Sequence, residues 1–246
     1  MIRFFVPPEK IHDGRIVIEG QEFAHAVQVL RHRPGDTVVV MDGTSREYSA
    51  RIETATEKQC IAVILDEKTI DTEVPVHITL CQALIKPSRF EVVIEKATEL
   101  GASSIVPILC EYCSHRDKEF SPSRRTRWNA ILKSAACQSG RAVVPELREP
   151  VTFTSAVESL SASKTILFSP THVAATVRKE LHDVRSIKSC ILFLGPEGGF
   201  SPDEIALAQS RGIAIVSMGK RILRAETAAI AALALVVEAV EAVQES

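Results

Sequence analysis

The chain has 246 residues, 46% of them hydrophobic, with 29 Lys and Arg against 31 Asp and Glu for a formal net charge of −2. That length fits one large domain or a small and a medium one, with a sizeable core. The near-neutral balance excludes a bulk positive field that would draw the whole chain onto nucleic acid, so any contact with RNA must be local.

The first residues, Met1-Ile-Arg-Phe-Phe-Val-Pro-Pro8, lack the long apolar run and small-residue cleavage site of a secretory signal. Residues 1 to about 72 then read as short β segments: Arg15–Glu19, Thr37–Met41, Glu47–Ile52 and Gln59–Leu65, punctuated by Asp13-Gly14, Pro34-Gly35 and Asp42-Gly43. A helix is predicted from Gln21 to about Arg31, where Phe23, Val27 and Leu30 recur at helical spacing. This is a small β-barrel pattern, and the acidic, polar stretch Asp66–Glu73 before Pro75 is the predicted boundary.

Beyond Pro75 strands alternate with helices, the pattern of a mainly parallel α/β sheet. The strands are predicted at Val76–Cys81, Ser104–Leu109, Thr165–Phe168, Cys190–Leu194 and Ile213–Val216. Helices are predicted from about Arg89, with Phe90, Val93, Ile94, Ala97 and Leu100 on one face before Gly101, and from near Ser123, Pro202 and Glu226. The last helix, Glu226–Val243, carries an apolar stripe of Ile230, Leu233, Val237 and Val240, suited either to the core or to a subunit contact. The longest apolar stretch, Ala228–Val237, is about half a bilayer span and runs into Glu238, so a cytoplasmic chain with no membrane helix is expected.

Six cysteines, at 60, 81, 110, 113, 137 and 190, have no disulfide-framework spacing and are expected as thiols. Cys110-Glu-Tyr-Cys113 has metal-ligand spacing, but no second such pair accompanies it, so no metal is expected. Positive charge concentrates in Arg31-His32-Arg33 and in the run from His115 through Arg116, Lys118, Arg124, Arg125 and Arg127 to Lys133. Such runs are more often solvated faces than binding sites, yet they are where RNA would be met.

Two turns carry the chemistry. Strand Cys190–Leu194 runs into Gly195-Pro-Glu-Gly-Gly-Phe200, and Ser201-Pro-Asp-Glu204 then opens a helix with an N-cap, a first-position proline and a capping-box glutamate. The turn thus lies at the carboxyl end of a strand, where open α/β sheets place ligands. Strand Ile213–Val216 leads in the same way into Ser217-Met-Gly-Lys-Arg-Ile-Leu-Arg-Ala-Glu-Thr227. Arg224 and Glu226 form either a local ion pair or part of a site, and Thr227 either a cap or a site hydroxyl.

With Gln138-Ser-Gly-Arg141, the opening Arg3-Phe-Phe5, His25, Leu30-Arg31, Gly35-Asp36, Lys86, Arg89 and Glu95-Lys-Ala-Thr-Glu-Leu-Gly101, these segments resemble the 16S ribosomal RNA uracil-N3 methyltransferases. That is the RsmE-like family of the SPOUT superfamily. The resemblance implies a PUA-like RNA-binding β-barrel over residues 1–72 and a SPOUT methyltransferase domain over 73–246, whose chain threads a trefoil knot. It also implies bound S-adenosyl-L-methionine, a homodimer, and 16S rRNA, within the assembled 30S subunit, as substrate.

Carried over, the cofactor-binding residues are Leu194, Gly195, Pro196, Glu197, Gly198, Gly199, Met218, Gly219, Arg221, Ile222, Leu223 and Arg224. Arg224 is the candidate cation for the uracil anion, and Glu226 and Glu197 are the candidate bases. Arg3, Arg31, Arg33, Lys86, Arg89, Arg124, Arg125 and Arg141 are the expected RNA contacts. The chain departs from the family pattern at Met218, Ala225 and Cys137, where Leu, Thr and Glu are usual. Two alternatives stay open: a SPOUT enzyme with another RNA target, and a non-catalytic RNA-binding assembly factor.

Overall fold

A computed structural model describes residues 3–114, 121–171, 175–181 and 186–242. The chain divides into two compact units, Met1–Glu73 with Lys133–Val144, and Val74–Leu132 with Pro145–Ser246. Residues 133–144, assigned from the sequence to the second part, are thus grouped with the first.

The first unit holds β1 (Arg3–Phe5), β2 (Ile11–His12), β3 (Arg15–Glu19), β4 (Thr37–Met41), β5 (Arg46–Ala55) and β6 (Gln59–Thr69). They form one sheet in the order β1-β4-β5-β6-β3-β2, antiparallel except for the β1–β4 pair. Alternation along the strands puts Phe4, Ile16, Ile18, Val38, Val40, Ala50, Ile52 and Ala62 into one core. The two units divide after Glu73, at the end of the stretch Asp66–Glu73, and the first part of that stretch belongs to β6, which runs on to Thr69 and pairs with the start of β5. Opposite charges support that extension: Arg46 meets Glu67 at 2.8 Å, and Lys68 meets Glu47 at 2.8 Å.

The helix predicted over 21–31 is also corrected. An α-helical turn, α1 (Gly20–Phe23), passes into a π-helical stretch over Ala24–Val29. Arg31 closes it in the left-handed region at φ 60°, with the His32 N–H donating to the Ala26 carbonyl at 3.0 Å. The wider winding leaves Phe23 and Ala26 buried, with Val27 and Leu30 packed on the same core.

The second unit is built on β7 (His77–Ala83), β8 (Ser104–Leu109), β9 (Glu146–Leu147), β10 (Val151–Thr152), β11 (Lys164–Phe168), β12 (Ala175–Thr176), β13 (Ser189–Leu194) and β14 (Ala214–Ser217). All its pairings are parallel, in the order β10-β8-β7-β13-β11-β14-β12, with β9 beside β8. Its central strands are buried almost end to end, as a sheet covered on both faces requires. The late strand β13 lies between β7 and β11, so the order switches direction in the middle of the sheet.

The helices of this unit are α2 (Pro87–Glu99), α3 (Pro122–Ser139) as far as Leu132, α4 (Phe153–Ser159), α5 (Val177–Glu180), α6 (Pro202–Ser210) and α7 (Ala225–Glu241). In α2 the buried residues include Phe90, Val93, Ile94 and Ala97, the face read from the sequence, and Phe90 stacks on Trp128 with ring centroids 4.5 Å apart. Helix α7 packs against α2 and β13. Its buried residues include Ala229, Ala232, Leu233, Val236 and Val240, whereas Ile230 and Val237 of the expected stripe are half-buried. Val243, the expected end of this helix, lies outside the described residues. Among the described residues no helix is long and apolar enough to cross a membrane.

Candidate active site

A cavity of about 310 Å³ opens at the carboxyl ends of three neighbouring strands, β13, β11 and β14. Parallel strands present their C-terminal turns on one edge, and the reversal of strand order keeps those turns from closing over one another. Its wall draws on Leu194–Glu197, Gly199 and Phe200 after β13, Met218, Gly219 and Arg221–Ala225 after β14, Phe168-Ser-Pro170 after β11, and Arg89 at the head of α2.

The turn after β13 is tightly specified. Gly199 sits at φ 72°, which side chains rarely adopt, and its N–H donates to the Pro196 carbonyl at 3.0 Å. Gly198 does not line the cavity; a Cβ there would stand 2.8 Å from the Cβ of Tyr112, so only glycine permits this approach. The capping box expected at Ser201 and Glu204 is present in both directions. Glu204 also accepts the Glu111 N–H at 2.9 Å, which ties the turn to the end of β8.

The turn after β14 is held more loosely. The Ser217 hydroxyl donates to the Gly219 carbonyl at 3.0 Å and accepts its N–H at 3.2 Å. Beyond that, Arg221 and Arg224 are exposed, and Ile222 lines the cavity while 86% exposed. Arg224 is the N-cap residue of α7 without a side-chain cap bond, and its carbonyl accepts the Ala228 N–H at 2.8 Å. Thr227, considered as a capping hydroxyl, is not in the N-cap position.

The two candidate acids meet one cation that the sequence did not join to them. Arg89 Nη1 lies 3.3 Å from Glu197 Oε1, and Arg89 Nε lies 3.8 Å from Glu226 Oε1. The local Arg224–Glu226 ion pair considered from the sequence is therefore replaced by a longer-range one. Glu197 lines the cavity and Glu226 does not; the second oxygen of Glu226 is buried without a hydrogen-bond partner. The turn Phe168-Ser-Pro170 was missed, although an apolar strand ending in Ser-Pro is itself a turn signal. Its backbone is fixed by the Ser169 N–H, which donates to the Val216 carbonyl at 2.9 Å.

Beside this site, Cys110 and Cys113 are both buried, and the Cys110 N–H donates to Cys113 Sγ at 3.3 Å. Hydrogen bonds from the Cys110 thiol and from backbone amides outweigh burial and bring the Cys113 thiol down to about 7. Among the described residues no group of three His, Cys, Asp or Glu side chains converges as a metal site.

The basic residues fall into different environments. Arg31 and Arg33 are exposed, and Lys86 is exposed at the N-cap of α2. Arg3 is paired with Glu47 at 2.9 Å, Arg125 with Glu149, and Arg127 with Glu91 at 2.6 Å. Arg124 is half-buried, and Lys133 stands 5.4 Å over the Phe5 ring. Arg141 requires a correction: expected at RNA, it is 4% exposed and clasped by Glu73, whose other oxygen accepts the Val143 N–H at 3.2 Å. A guanidinium buried against a carboxylate is a structural tie within the first unit. His115, Arg116 and Lys118 of the basic run lie outside the described residues.

Known families meet the chain at both of its units. A family model described as an RNA methyltransferase domain matches residues 72–237, and one described as an RNA methyltransferase PUA domain matches 18–65. The chain is 34% identical to the ribosomal RNA small subunit methyltransferase E of Synechocystis sp., over 94% of this chain and 76% of that protein. It is also 34% identical to the Mycobacterium tuberculosis protein of the same name, over 89% of this chain and 85% of that one. Among solved structures it resembles Lpg2936 from Legionella pneumophila in complex with SAM, with a TM-score of 0.89 and 33% identity over 96% of each chain. It likewise resembles the ribosomal RNA small subunit methyltransferase E of Neisseria gonorrhoeae bound to S-adenosyl methionine, with a TM-score of 0.83 and 32% identity over 95% of each chain.

Proposed function

The chain belongs to the ribosomal RNA small subunit methyltransferase E family, and from that premise we propose that it transfers the methyl group of S-adenosyl-L-methionine to N3 of a specific uridine in 16S rRNA. The observation that carries this reading is the cavity built from both glycine-bearing turns at the carboxyl ends of adjacent parallel strands.

The cavity fits such a cofactor in size and character. About 310 Å³ lies within the range of small-molecule sites, and its walls combine apolar side chains with turn backbone and a few charges. Leu194, Gly195, Pro196, Glu197, Gly199, Met218, Gly219, Arg221, Ile222, Leu223 and Arg224 would hold it, with Gly198 supporting the turn from outside. When bound, the cofactor supplies a methyl carbon made electrophilic by its positively charged sulfur. The trefoil knot and the SPOUT architecture belong to the same proposal.

The protein must then present uracil N3 and stabilise the negative charge that spreads over the flanking carbonyl oxygens as the imide proton leaves. Arg224 is the side chain suited to this, since it is exposed at the cavity wall in the N-cap position of α7. Glu197 and Glu226 are both drawn toward Arg89, which argues against either as a free general base. RNA contact is assigned to Arg31 and Arg33, exposed in the first unit, and to Lys86, exposed in the second. The protein works in the cytoplasm on the 30S subunit as a homodimer. Leu235 on α7 and Val92 on α2, 44% and 39% exposed, support an apolar subunit contact, and light scattering that finds a monomer would remove it.

The experiment is nucleoside mass spectrometry of 16S rRNA from cells with and without the gene, joined to methylation of 30S subunits in vitro. Loss of 3-methyluridine is expected, and its persistence rejects the assignment. Arg224→Ala is expected to slow single-turnover methylation by about 100-fold or more. Arg224→Lys is expected to recover little, because lysine lacks the planar fork. Glu226→Gln is expected to give a loss nearly independent of pH; a loss that shrinks as pH rises would restore Glu226 as the base.

A further inference from the structure

Arg89 stands at the head of α2, and its guanidinium faces two carboxylates from distant parts of the chain: Glu197 in the turn after β13 and Glu226 in the first turn of α7. Both separations are short enough for ionic attraction, and the side chains are only partly exposed: 37% for Arg89, 38% for Glu197 and 16% for Glu226. Arg89 also lines the cavity, as does Glu197. One cation thus joins the helix before the site, the first cofactor turn and the helix after the second turn.

Charge decides what this cation can do. The one guanidinium is already shared between two carboxylates, so little of its charge and few of its N–H groups are left for an RNA phosphate. Arginine is suited instead to joining the two acids, because its planar fork offers separate N–H groups to separate acceptors, which an ammonium cannot reproduce with the same geometry. Glu226 has no cavity-facing role to compete with this one, and its first oxygen points to Arg89.

We propose that Arg89 is a positioning residue of the cofactor pocket, a latch that holds the Glu197 turn against the head of α7, and not an RNA contact. This rests on the methyltransferase reading of the cavity. Without the latch, the loosely held turn that leads into α7 must be ordered against the Glu197 turn at the expense of ligand binding energy. The cost therefore falls on cofactor affinity, and saturating cofactor restores the rate.

The test is calorimetry of S-adenosylhomocysteine binding to the full chain, with methylation kinetics and RNA binding measured on the same variants. Arg89→Gln is expected to weaken binding about tenfold and to raise the cofactor KM similarly, with kcat within about twofold. Arg89→Lys is expected to keep most of that deficit. Glu226→Gln should weaken binding less, and the double variant should be no worse than Arg89→Gln alone, since both changes break one interaction. Thermal unfolding verifies that each variant is folded; Glu197→Gln provides a second route to the same coupling if one is not. The salt slope of RNA binding is expected to stay at the wild-type value in Arg89→Gln. A slope lower by about one, with unchanged cofactor affinity, would make Arg89 a phosphate contact and overturn the latch. Additive losses at Arg89 and Glu226 would overturn it as well. A wild-type chain that takes up no S-adenosylhomocysteine overturns the methyltransferase reading and the latch together, whereas binding in the wild type that Arg89→Gln leaves untouched overturns the latch alone.

Discussion

The two turns that frame the cavity are fixed in opposite ways. The turn after β13 is determined at almost every atom: a left-handed Gly199, a Gly198 pressed on Tyr112, and a capping box whose glutamate also grips the end of β8. The turn after β14 has one serine hydroxyl bridging Gly219, and then mostly exposed side chains up to Arg224, an N-cap residue with no side-chain cap bond. A pocket that must admit and release a ligand needs a rigid reference wall and a wall that can yield. Here the sequence divides those roles between two loops of similar length.

Gly198→Val strikes the rigid wall hardest. Its side chain would enter the space of the Tyr112 Cβ, where overpacking costs about 1–3 kcal/mol. Calorimetry is expected to show cofactor affinity falling roughly 10- to 100-fold; an unchanged affinity would mean the wall is not a reference at all. Ser201→Ala removes the cap without touching the cavity and should lower stability by about 1 kcal/mol. That corresponds to a midpoint lower by about 2–4 °C in thermal unfolding, with at most a fewfold change in cofactor affinity. Ile222→Ser tests the yielding wall and should have the smallest effect. Stability should stay within about 0.5 kcal/mol, because the side chain is 86% exposed. Affinity should fall only about threefold, and no fall would show that Ile222 remains in water when the pocket is filled.

What the sequence disclosed follows the same division. Strands β7, β8, β11, β13 and β14, and the start of α6, were legible because unbroken apolar runs and a complete capping box are local signals. The two-residue strands β9, β10 and β12 were not, since so short a segment has no period to read. Asp66–Thr69 looked like a linker because its charges are satisfied across the sheet by Arg46 and Glu47, which composition cannot reveal. Both glycine turns were legible, but the chemistry between residues far apart in sequence was not. Arg89 holding Glu197 and Glu226, and Arg141 turned inward onto Glu73, depend on tertiary partners, so both had been grouped with the exposed cations. The turn at Phe168-Ser-Pro170 lines the same cavity but carries no glycine, only a Ser-Pro step, so its local signal is weaker than that of the other two.

The position of β13 bears on how the chain is made. It lies between β7 and β11, yet it is synthesised after both, so while the polypeptide emerges those two strands lack the neighbour that pairs them. Their apolar faces and strand edges must wait in water or in the care of a chaperone until Leu194 has left the ribosome. The first unit also waits on later residues, since Lys133–Val144 belongs to it. Its six-stranded sheet, however, is complete by Thr69 and can assemble early. A truncation before β13 would therefore leave a sheet-forming N-terminal portion attached to an aggregation-prone remainder.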